Sequence, residues 1–180
     1  MDLREIPLSA HYEYEGRIIN LRVDEACLPD GTTAAREEIE HPGGGGVLAI
    51  TDEGEVLLVQ QFRYPYGEIT TEIPAGKRDR GEDPLETGKR ELAEETGATA
   101  DRFTPLGVIY PTPGYCDEII HLYLATGLHF AEMHPDEDEF LDVLRLPLAA
   151  LVERVMAGDI PDAKTQIAAL KAWALTEDKL

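Results

Sequence analysis

The feature that most constrains this chain is a set of glycine, glutamate and arginine residues at fixed spacing in the middle of the sequence. Gly76 is followed after five residues by Glu82, and after seven more by the segment R-E-L-A-E-E-T-G, which spans 90–97. Residues three and four apart share one face of a helix, so the three glutamates of this segment would stand side by side. Like charges at that spacing cost about 0.2–0.5 kcal/mol per pair on an exposed helix.

Two interpretations of the segment are open. The first is a solvated acidic helix face, partly offset by Arg90 together with Glu86 and Glu94, since charge runs usually face solvent. The second is a site for hard divalent cations, because Mg²⁺ binds carboxylate oxygens and often shares them with substrate phosphates. The segment alone does not decide between them.

The upstream spacing favours the second interpretation. The chain matches every fixed position of G-x5-E-x7-R-E-U-x-E-E-x-G-U, where U is a bulky or aliphatic residue, although Ala98 is small for the last position. The pattern covers 23 residues and defines nine of them. The chain therefore resembles the Nudix hydrolases, which cleave nucleoside diphosphates linked to another group and fold as an α/β/α sandwich.

The resemblance implies roles for the residues of this pattern. It implies Mg²⁺ or Mn²⁺ as the cofactor and makes Arg90 and Glu94 part of the catalytic machinery, with Arg90 and Glu82 pairing with carboxylates or backbone groups to orient the loop. The metal ligands that we expect are the carbonyl of Ala75 and the carboxylates of Glu91, Glu94 and Glu95.

Local signals predict the secondary structure around the pattern. Asp83 suits a helix N-cap, Pro84 the first helical position and Gly97 the C-terminal cap, so we predict a helix over 84–96. Strands are predicted over 17–28 with a return strand to about 40, and over 47–50, 55–62, 69–73, 103–110, 118–125 and 140–146, followed by helices over 148–156 and 162–175. We read 47–50 and 55–62 as a hairpin.

These elements predict an α/β (α+β) protein with a mixed sheet sandwiched by helices. We divide it into a small N-terminal antiparallel β region, 1–42, and a Nudix hydrolase domain, 43–180. The glycines at 43–46 lack the Lys-Ser/Thr of a phosphate-binding loop and precede a strand, so we interpret them as a flexible link between the two.

Segments outside the pattern narrow the range of possible substrates. Pro113 lies fifteen residues after Ala98, and with the segments around it the chain resembles the ADP-ribose pyrophosphatase subfamily, whose members hydrolyse ADP-ribose to AMP and ribose 5-phosphate. Alternatives are another nucleotide sugar or dinucleotide, of the GDP-mannose, flavin or NADH type, or a catalytically inactive binding module. The resemblance implies substrate contacts from Arg63, Glu72, Gly114, Glu118, Tyr12 and Tyr14.

Roles without a substrate contact are also open for several of these residues: a surface salt bridge for Arg63, surface or dimer packing for Tyr12 and Tyr14, and a solvated strand end for Glu118. In the subfamily the general base comes from a loop after the pattern, here H-P-D-E-D-E-F at 134–140. Glu139 is our first candidate and Glu137 our second, with a solvated acidic loop as the alternative.

Composition limits the partners. A net charge of −20 argues against binding duplex nucleic acid, which needs a basic face. No apolar run approaches the roughly 20 residues of a membrane helix. Two distant cysteines form no disulfide framework, which favours the cytoplasm. The resemblance implies a small nucleoside diphosphate sugar as the partner and a homodimer with exchanged N-terminal strands.

Overall fold

The computed structural model describes residues 2–135 and 139–177. Its strands are β1 (Ile6–Glu15), β2 (Asn20–Cys27), β3 (Thr33–Glu40), β4 (Gly44–Ala49), β5 (Glu55–Arg63), β6 (Glu68–Glu72), β7 (Ala75–Lys77), β8 (Ala98–Ile109), β9 (Ile120–Phe130) and β10 (Leu141–Pro147). Its helices are α1 (Pro84–Thr96), α2 (Leu148–Ala157) and α3 (Ala163–Glu177). None of the described helices is long and apolar enough to cross a membrane.

The chain divides into two compact units. The first comprises the residues up to Gly43 together with Tyr110–Ile119, and the second comprises Gly44–Ile109 and the residues from Ile120 onward. The first unit contains one antiparallel sheet of order β1-β2-β3. The hairpin predicted between β2 and β3 is confirmed, with Asn20 opposite Glu40 and Cys27 opposite Thr33.

Strand β1 is absent from the sequence prediction. Each of its ten residues is exposed, so no buried face imposes a strict alternation of apolar and polar side chains on the sequence. Its register against β2 shifts twice, between Pro7 and Ser9 and between Tyr12 and Tyr14, which blurs the pattern further.

The second unit contains two sheets. One has the order β7-β4-β9-β8, in which β4 and β9 run parallel, and the other is antiparallel with the order β10-β5-β6. The expected mixed sheet is therefore present, but three of the strands of this unit form a second, separate sheet. The hairpin predicted from β4 and β5 is wrong: Gly54 forms the turn, yet the two strands meet only at the bridge between Ile50 and Val56 and enter different sheets.

Strand β4 is buried on both faces, and its alternating side chains enter two separate clusters. Val47 packs in a cluster that includes Leu92 of α1, whereas Leu48 packs in a cluster that includes Leu151 of α2 and Ala168 of α3. Helix α1 therefore covers one face of the mixed sheet and the other two helices cover the opposite face. This arrangement confirms the expected α/β/α fold.

The flexible link predicted at 43–46 is wrong. Gly44, Gly45 and Gly46 form the buried start of β4 and pair with both β7 and β9. A Cβ added at Gly45 would lie 2.7 Å from the carbonyl oxygen of Pro84 and 2.9 Å from the backbone nitrogen of Gly88. The missing side chain lets α1 approach the backbone of the sheet closely.

Helix α1 has the predicted bounds and caps. The side chain of Asp83 accepts a hydrogen bond from the backbone N–H of Leu85 at 2.9 Å. Gly97 takes a left-handed conformation (φ 68°) and its N–H donates to the carbonyl of Ala93. Because both ends are fixed by local interactions, the rotation of the helix and hence the direction of its glutamates are well defined.

Candidate active site

Gly76 allows the segment before α1 to approach the helix. A Cβ at this position would collide with the carboxylate of Glu91. On the same segment, the backbone N–H of Ala75 donates to Oε2 of Glu95 at 3.1 Å. The segment Ala75–Lys77 and the glutamates of α1 therefore lie in direct contact, as the spacing in the sequence requires.

Glu91 and Glu95 are buried on the same face of α1, with 7% and 2% of their surfaces exposed. Burial raises the pKa of Glu95 to about 8, and the negative charges of Glu91 and Glu139 add to this effect. Burial also raises the pKa of Glu91 to about 7, with Arg90 opposing the shift and Glu94 and Glu139 adding to it. These raised values mean that ionising both carboxylates together is unfavourable unless a further cation neutralises them.

Arg90 ties the face of α1 to the preceding loop. Its Nη1 donates to Glu91 Oε1 at 2.8 Å and to Glu94 Oε2 at 2.9 Å. Its Nε donates to Glu82 Oε1 at 3.1 Å, and its Nη2 donates to the carbonyl of Lys77. Hydrogen bonding from Arg90 lowers the pKa of Glu82 to about 2, so this carboxylate stays ionised and holds the arginine in place.

The donor set fits a hard divalent cation by its chemistry. Glu91 and Glu95 offer buried, incompletely neutralised carboxylate oxygens beside each other, and Glu94 lies on the same helix face with about a third of its side chain exposed. Within 2–135 and 139–177, however, no three acidic, histidine or cysteine side chains converge as a metal site in this arrangement. Arg90 is bonded to Glu91 and Glu94, so coordination would require these bonds to rearrange.

Arg63 and Glu72 form a paired site on the sheet β10-β5-β6. Arg63 Nε donates to Glu72 Oε1 at 2.7 Å, and Arg63 Nη2 donates to Glu72 Oε2 at 2.6 Å. These two parallel bonds join neighbouring strands in a fork, the usual geometry of an arginine–carboxylate pair. The Arg63 guanidinium also lies within electrostatic range of one carboxylate of α1, that of Glu95.

Glu72 is only 3% exposed and has two further donors. Thr70 Oγ1 donates to Oε1 at 2.5 Å, and Lys164 Nζ, from the first turn of α3, donates to Oε2. Although burial acts to raise the pKa of Glu72, Arg63 and Lys164 outweigh it and lower the pKa to about 2. The expected contact between Glu72 and substrate stays a prediction, because four protein donors already occupy this carboxylate.

Lys164 and Thr165 are two site residues that no pattern in the sequence predicts. Lys164 Nζ also donates to Asp162 Oδ1 at 2.8 Å, and the backbone N–H of Ile73 donates to Thr165 Oγ1 at 2.8 Å. Asp162 accepts from the backbone N–H of Thr165 and so caps α3. The sequence D-A-K-T before an apolar-periodic helix signals such a cap, but it does not reveal a partner 92 residues away.

A family model described as the NUDIX domain matches residues 40–169 of this chain. The chain belongs to the Nudix family. An ADP-ribose pyrophosphatase from Bacillus subtilis (strain 168) is 42% identical over 168 residues, which cover 92% of this chain and 91% of the relative. A methanol dehydrogenase activator from Bacillus methanolicus is 44% identical over 157 residues, 86% of this chain and 85% of the relative.

A solved structure supports the fold of this Nudix chain. It is a crystal structure of an ADP compounds hydrolase that superposes with a TM-score of 0.86 at 20% identity, covering 99% of this chain and 98% of the other. At that identity the likeness concerns the fold, which agrees with the helices on both faces of the mixed sheet.

Of the two candidates for the general base of this Nudix chain, the structure describes Glu139 but not Glu137. Glu139 lies close enough to Glu91 and Glu95 for its charge to raise the pKa of both. It also lines an open cleft with Phe62 and Ile69. Glu137 lies outside the described residues.

The remaining substrate candidates fall in the first unit. The hydroxyl of Tyr12 donates to Glu40 Oε1 at 3.0 Å, and Tyr14 is 58% exposed. Glu118 lies 3.4 Å from Nδ1 of His41, and a Cβ added at Gly114 would meet open space. Their contacts with substrate stay predictions.

Proposed function

We propose that this protein hydrolyses the pyrophosphate bond of ADP-ribose to AMP and ribose 5-phosphate in the presence of Mg²⁺ or Mn²⁺. One observation carries the proposal: Glu91 and Glu95 are buried, neighbouring carboxylates whose joint ionisation is unfavourable without an added cation, and the guanidinium of Arg63 lies within electrostatic range of Glu95. An anionic pyrophosphate fits such a place only together with a divalent cation. The ADP-ribose pyrophosphatase among the relatives supports the choice of substrate.

The cation would supply charge neutralisation for the phosphate oxygens and an activated water. Glu91 and Glu95, with Glu94 and the carbonyl of Ala75, would hold it. Arg90 keeps Glu91 and Glu94 oriented through its bonds to both, while Arg63 binds a phosphate oxygen of the substrate.

We assign the general base to Glu139. Its proximity to Glu91 and Glu95 supports this role, since a base must come within hydrogen-bond reach of the attacking water near the metal ligands. Glu139→Gln is expected to lower kcat about 10²–10⁴-fold, the usual contribution of general base catalysis. Glu132→Gln, in the exposed segment before the same loop, is the matched control and should leave kcat unchanged.

The protein would act as a homodimer with exchanged N-terminal strands. Strand β1 supports this assignment because it exposes Ile6, Leu8, Tyr12 and Tyr14 together. Tyr12 or Tyr14 would then contact the adenosine of the substrate in the partner subunit's site. Light scattering across a dilution series tests the dimer; a monomer at all concentrations would contradict it.

A substrate panel tests the proposed reaction. The protein is incubated with Mg²⁺ and ADP-ribose, GDP-mannose, a UDP-sugar, NADH or flavin adenine dinucleotide, and the products are identified by mass. We expect the highest kcat/KM for ADP-ribose, with AMP as a product. If no compound is hydrolysed, the proposal that the protein is an enzyme is refuted. If another compound is turned over faster, the proposal that ADP-ribose is the substrate is refuted. We place the reaction in the cytoplasm, which the free thiols of Cys27 and Cys116 support.

A further inference from the structure

Lys164 occupies an unusual place for a lysine. It lies in the first turn of α3, where the helix dipole disfavours a positive charge, and only 11% of its side chain is exposed. A lysine in such a place needs negative partners, and it has two: Glu72 and Asp162. Asp162 lies two residues before Lys164 in the chain and caps the same helix. The contact with Glu72 is therefore the one that joins Lys164 to a distant strand.

The contact bears directly on Arg63. Glu72 Oε2 receives a hydrogen bond from Arg63 Nη2 at 2.6 Å and another from Lys164 Nζ, so both cations share one oxygen. Arg63 therefore shares its carboxylate with a second cation, while Asp162 balances the charge of Lys164. Within the described residues, Arg63 Nη1 has no hydrogen bond to protein, and about 38% of the arginine side chain is exposed.

The residue after Lys164 holds the backbone beside this pair. The neighbouring Thr165 accepts from the N–H of Ile73, which directly follows Glu72. The position of the strand end that carries Glu72 is thereby fixed from both its side chain and its backbone. The orientation of Arg63 is therefore fixed by Glu72, and residues of α3 fix the position of Glu72.

We propose that Lys164 is a positioning residue for substrate binding: by sharing Glu72 with Arg63, it keeps the arginine aimed and its Nη1 group available for a phosphate oxygen of the substrate. The inference rests on the proposed function in one respect, that the ligand carries a pyrophosphate. It assigns Lys164 no contact with the substrate. Its effect on binding therefore passes through Arg63.

A double-mutant cycle tests this dependence. The ligand is the α,β-methylene analogue of ADP-ribose, which cannot be cleaved at the bridging atom, and its binding in the presence of Mg²⁺ is measured by calorimetry. We expect Lys164→Met and Arg63→Gln each to weaken binding about tenfold, the size of one charge-assisted hydrogen bond. In the Arg63→Gln background, Lys164→Met should add less than about twofold, because residues that act through one contact are not additive.

Turnover separates positioning from general damage to the site. Lys164→Met should raise KM about tenfold for the hydrolysed substrate while kcat changes by less than about threefold, since a phosphate contact present in both ground and transition states contributes uniform binding. Lys164→Arg keeps the charge and should retain most of the affinity. Lys171→Met is the matched control in the same helix; Lys171 donates to the carbonyl of Leu106, and its loss should leave affinity unchanged.

The outcomes distinguish this inference from the proposed reaction. Coupled losses of analogue binding support the role of Lys164 even if ADP-ribose is not hydrolysed, which would refute only the reaction. Additive losses, unchanged affinity in Lys164→Met, or no binding of the analogue by the wild-type protein would overturn the inference even if ADP-ribose is hydrolysed. If Lys164→Met does not fold, Lys164→Gln takes its place in the same cycle, with the same expected coupling.

Discussion

Glu72 and Glu95 are two carboxylates of the same unit with nearly equal burial and opposite electrostatic behaviour. They are 3% and 2% exposed, yet the pKa of Glu72 is lowered to about 2 and that of Glu95 is raised to about 8. Burial acts to raise both values. Glu72 is bonded to the cations Arg63 and Lys164, whereas Glu95 accepts from the neutral N–H of Ala75 and has the charges of Glu91 and Glu139 nearby.

The difference shows how the chain divides its charges. The Glu72 region is neutralised by cations of the protein itself. The Glu95 region places buried carboxylates side by side, so ionising them costs stability unless a cation arrives. Removing the carboxylate should therefore harm folding in the first region and harm activity in the second.

The largest effect should come from Glu95→Gln. We expect activity to fall at least about 10²-fold, because even changes that only disturb the orientation of metal ligands cost 10–100-fold. The stability of the metal-free protein at pH 7 should not fall, since the amide oxygen can still accept from Ala75 and no buried charge remains. Steady-state kinetics and urea unfolding check both parts. Glu86→Gln, exposed on the same helix, is the control; activity of Glu95→Gln near the wild-type level would contradict the assignment.

In contrast to Glu95→Gln, Glu72→Gln should lower the stability of the metal-free protein. We expect a loss of about 3 kcal/mol in the free energy of unfolding, because breaking a buried ion pair leaves its partners uncompensated, and we take the lower end since Arg63 is partly exposed. Urea denaturation in the absence of metal measures it. Glu68→Gln, at the exposed end of the same strand, should stay within about 0.5 kcal/mol of wild type. Equal stabilities for the two variants would remove the contrast between the regions.

Gly45→Ala should disturb α1 without touching the Glu72 region. The added Cβ would meet the backbone of Pro84 and Gly88, so we expect overpacking to cost about 1–3 kcal/mol. Gly114→Ala, where a Cβ meets open space, is the control for stability. A fully stable Gly45→Ala variant would show that the close approach of α1 and β4 is not required.

The smallest effect is a change in acid sensitivity. The pKa of Glu72 lies at about 2 in the folded protein, below its ordinary value of 4.5, so the unfolded chain binds this proton more readily. Its contribution to stability is complete above pH 4.5 and is lost as the pH falls toward 2. The free energy of unfolding should therefore decline less steeply in Glu72→Gln than in wild type between pH 5 and pH 3. Parallel curves would contradict this linkage.

The sequence predicts best what neighbouring residues determine. Helix α1 has its predicted bounds because Asp83, Pro84 and Gly97 act within one turn of the ends. The glutamates on one face follow from its periodicity. The prediction for the glycines of β4 is wrong because the sequence does not show which backbone atoms pack where their side chains would be.

Contacts between distant segments could not be predicted from the sequence. Lys164 and Glu72 are 92 residues apart, and no local signal joins them. A salt bridge is among the open roles of Arg63, but the sequence does not identify its partner, Glu72, on the neighbouring strand. The separation of β4 and β5 into different sheets has the same cause, because their turn is local and their partners in β9 and β10 are not.

Stabilisation by Mg²⁺ tests most directly whether the Glu95 region is built for an external cation and the Glu72 region is not. The free energy of unfolding is measured with and without Mg²⁺ at 100 times its wild-type Kd. We expect a gain of about 2.7 kcal/mol for wild type and for Glu72→Gln, as mass action requires, and little gain for Glu95→Gln. No gain for wild type, or an equal gain for Glu95→Gln, would contradict the account.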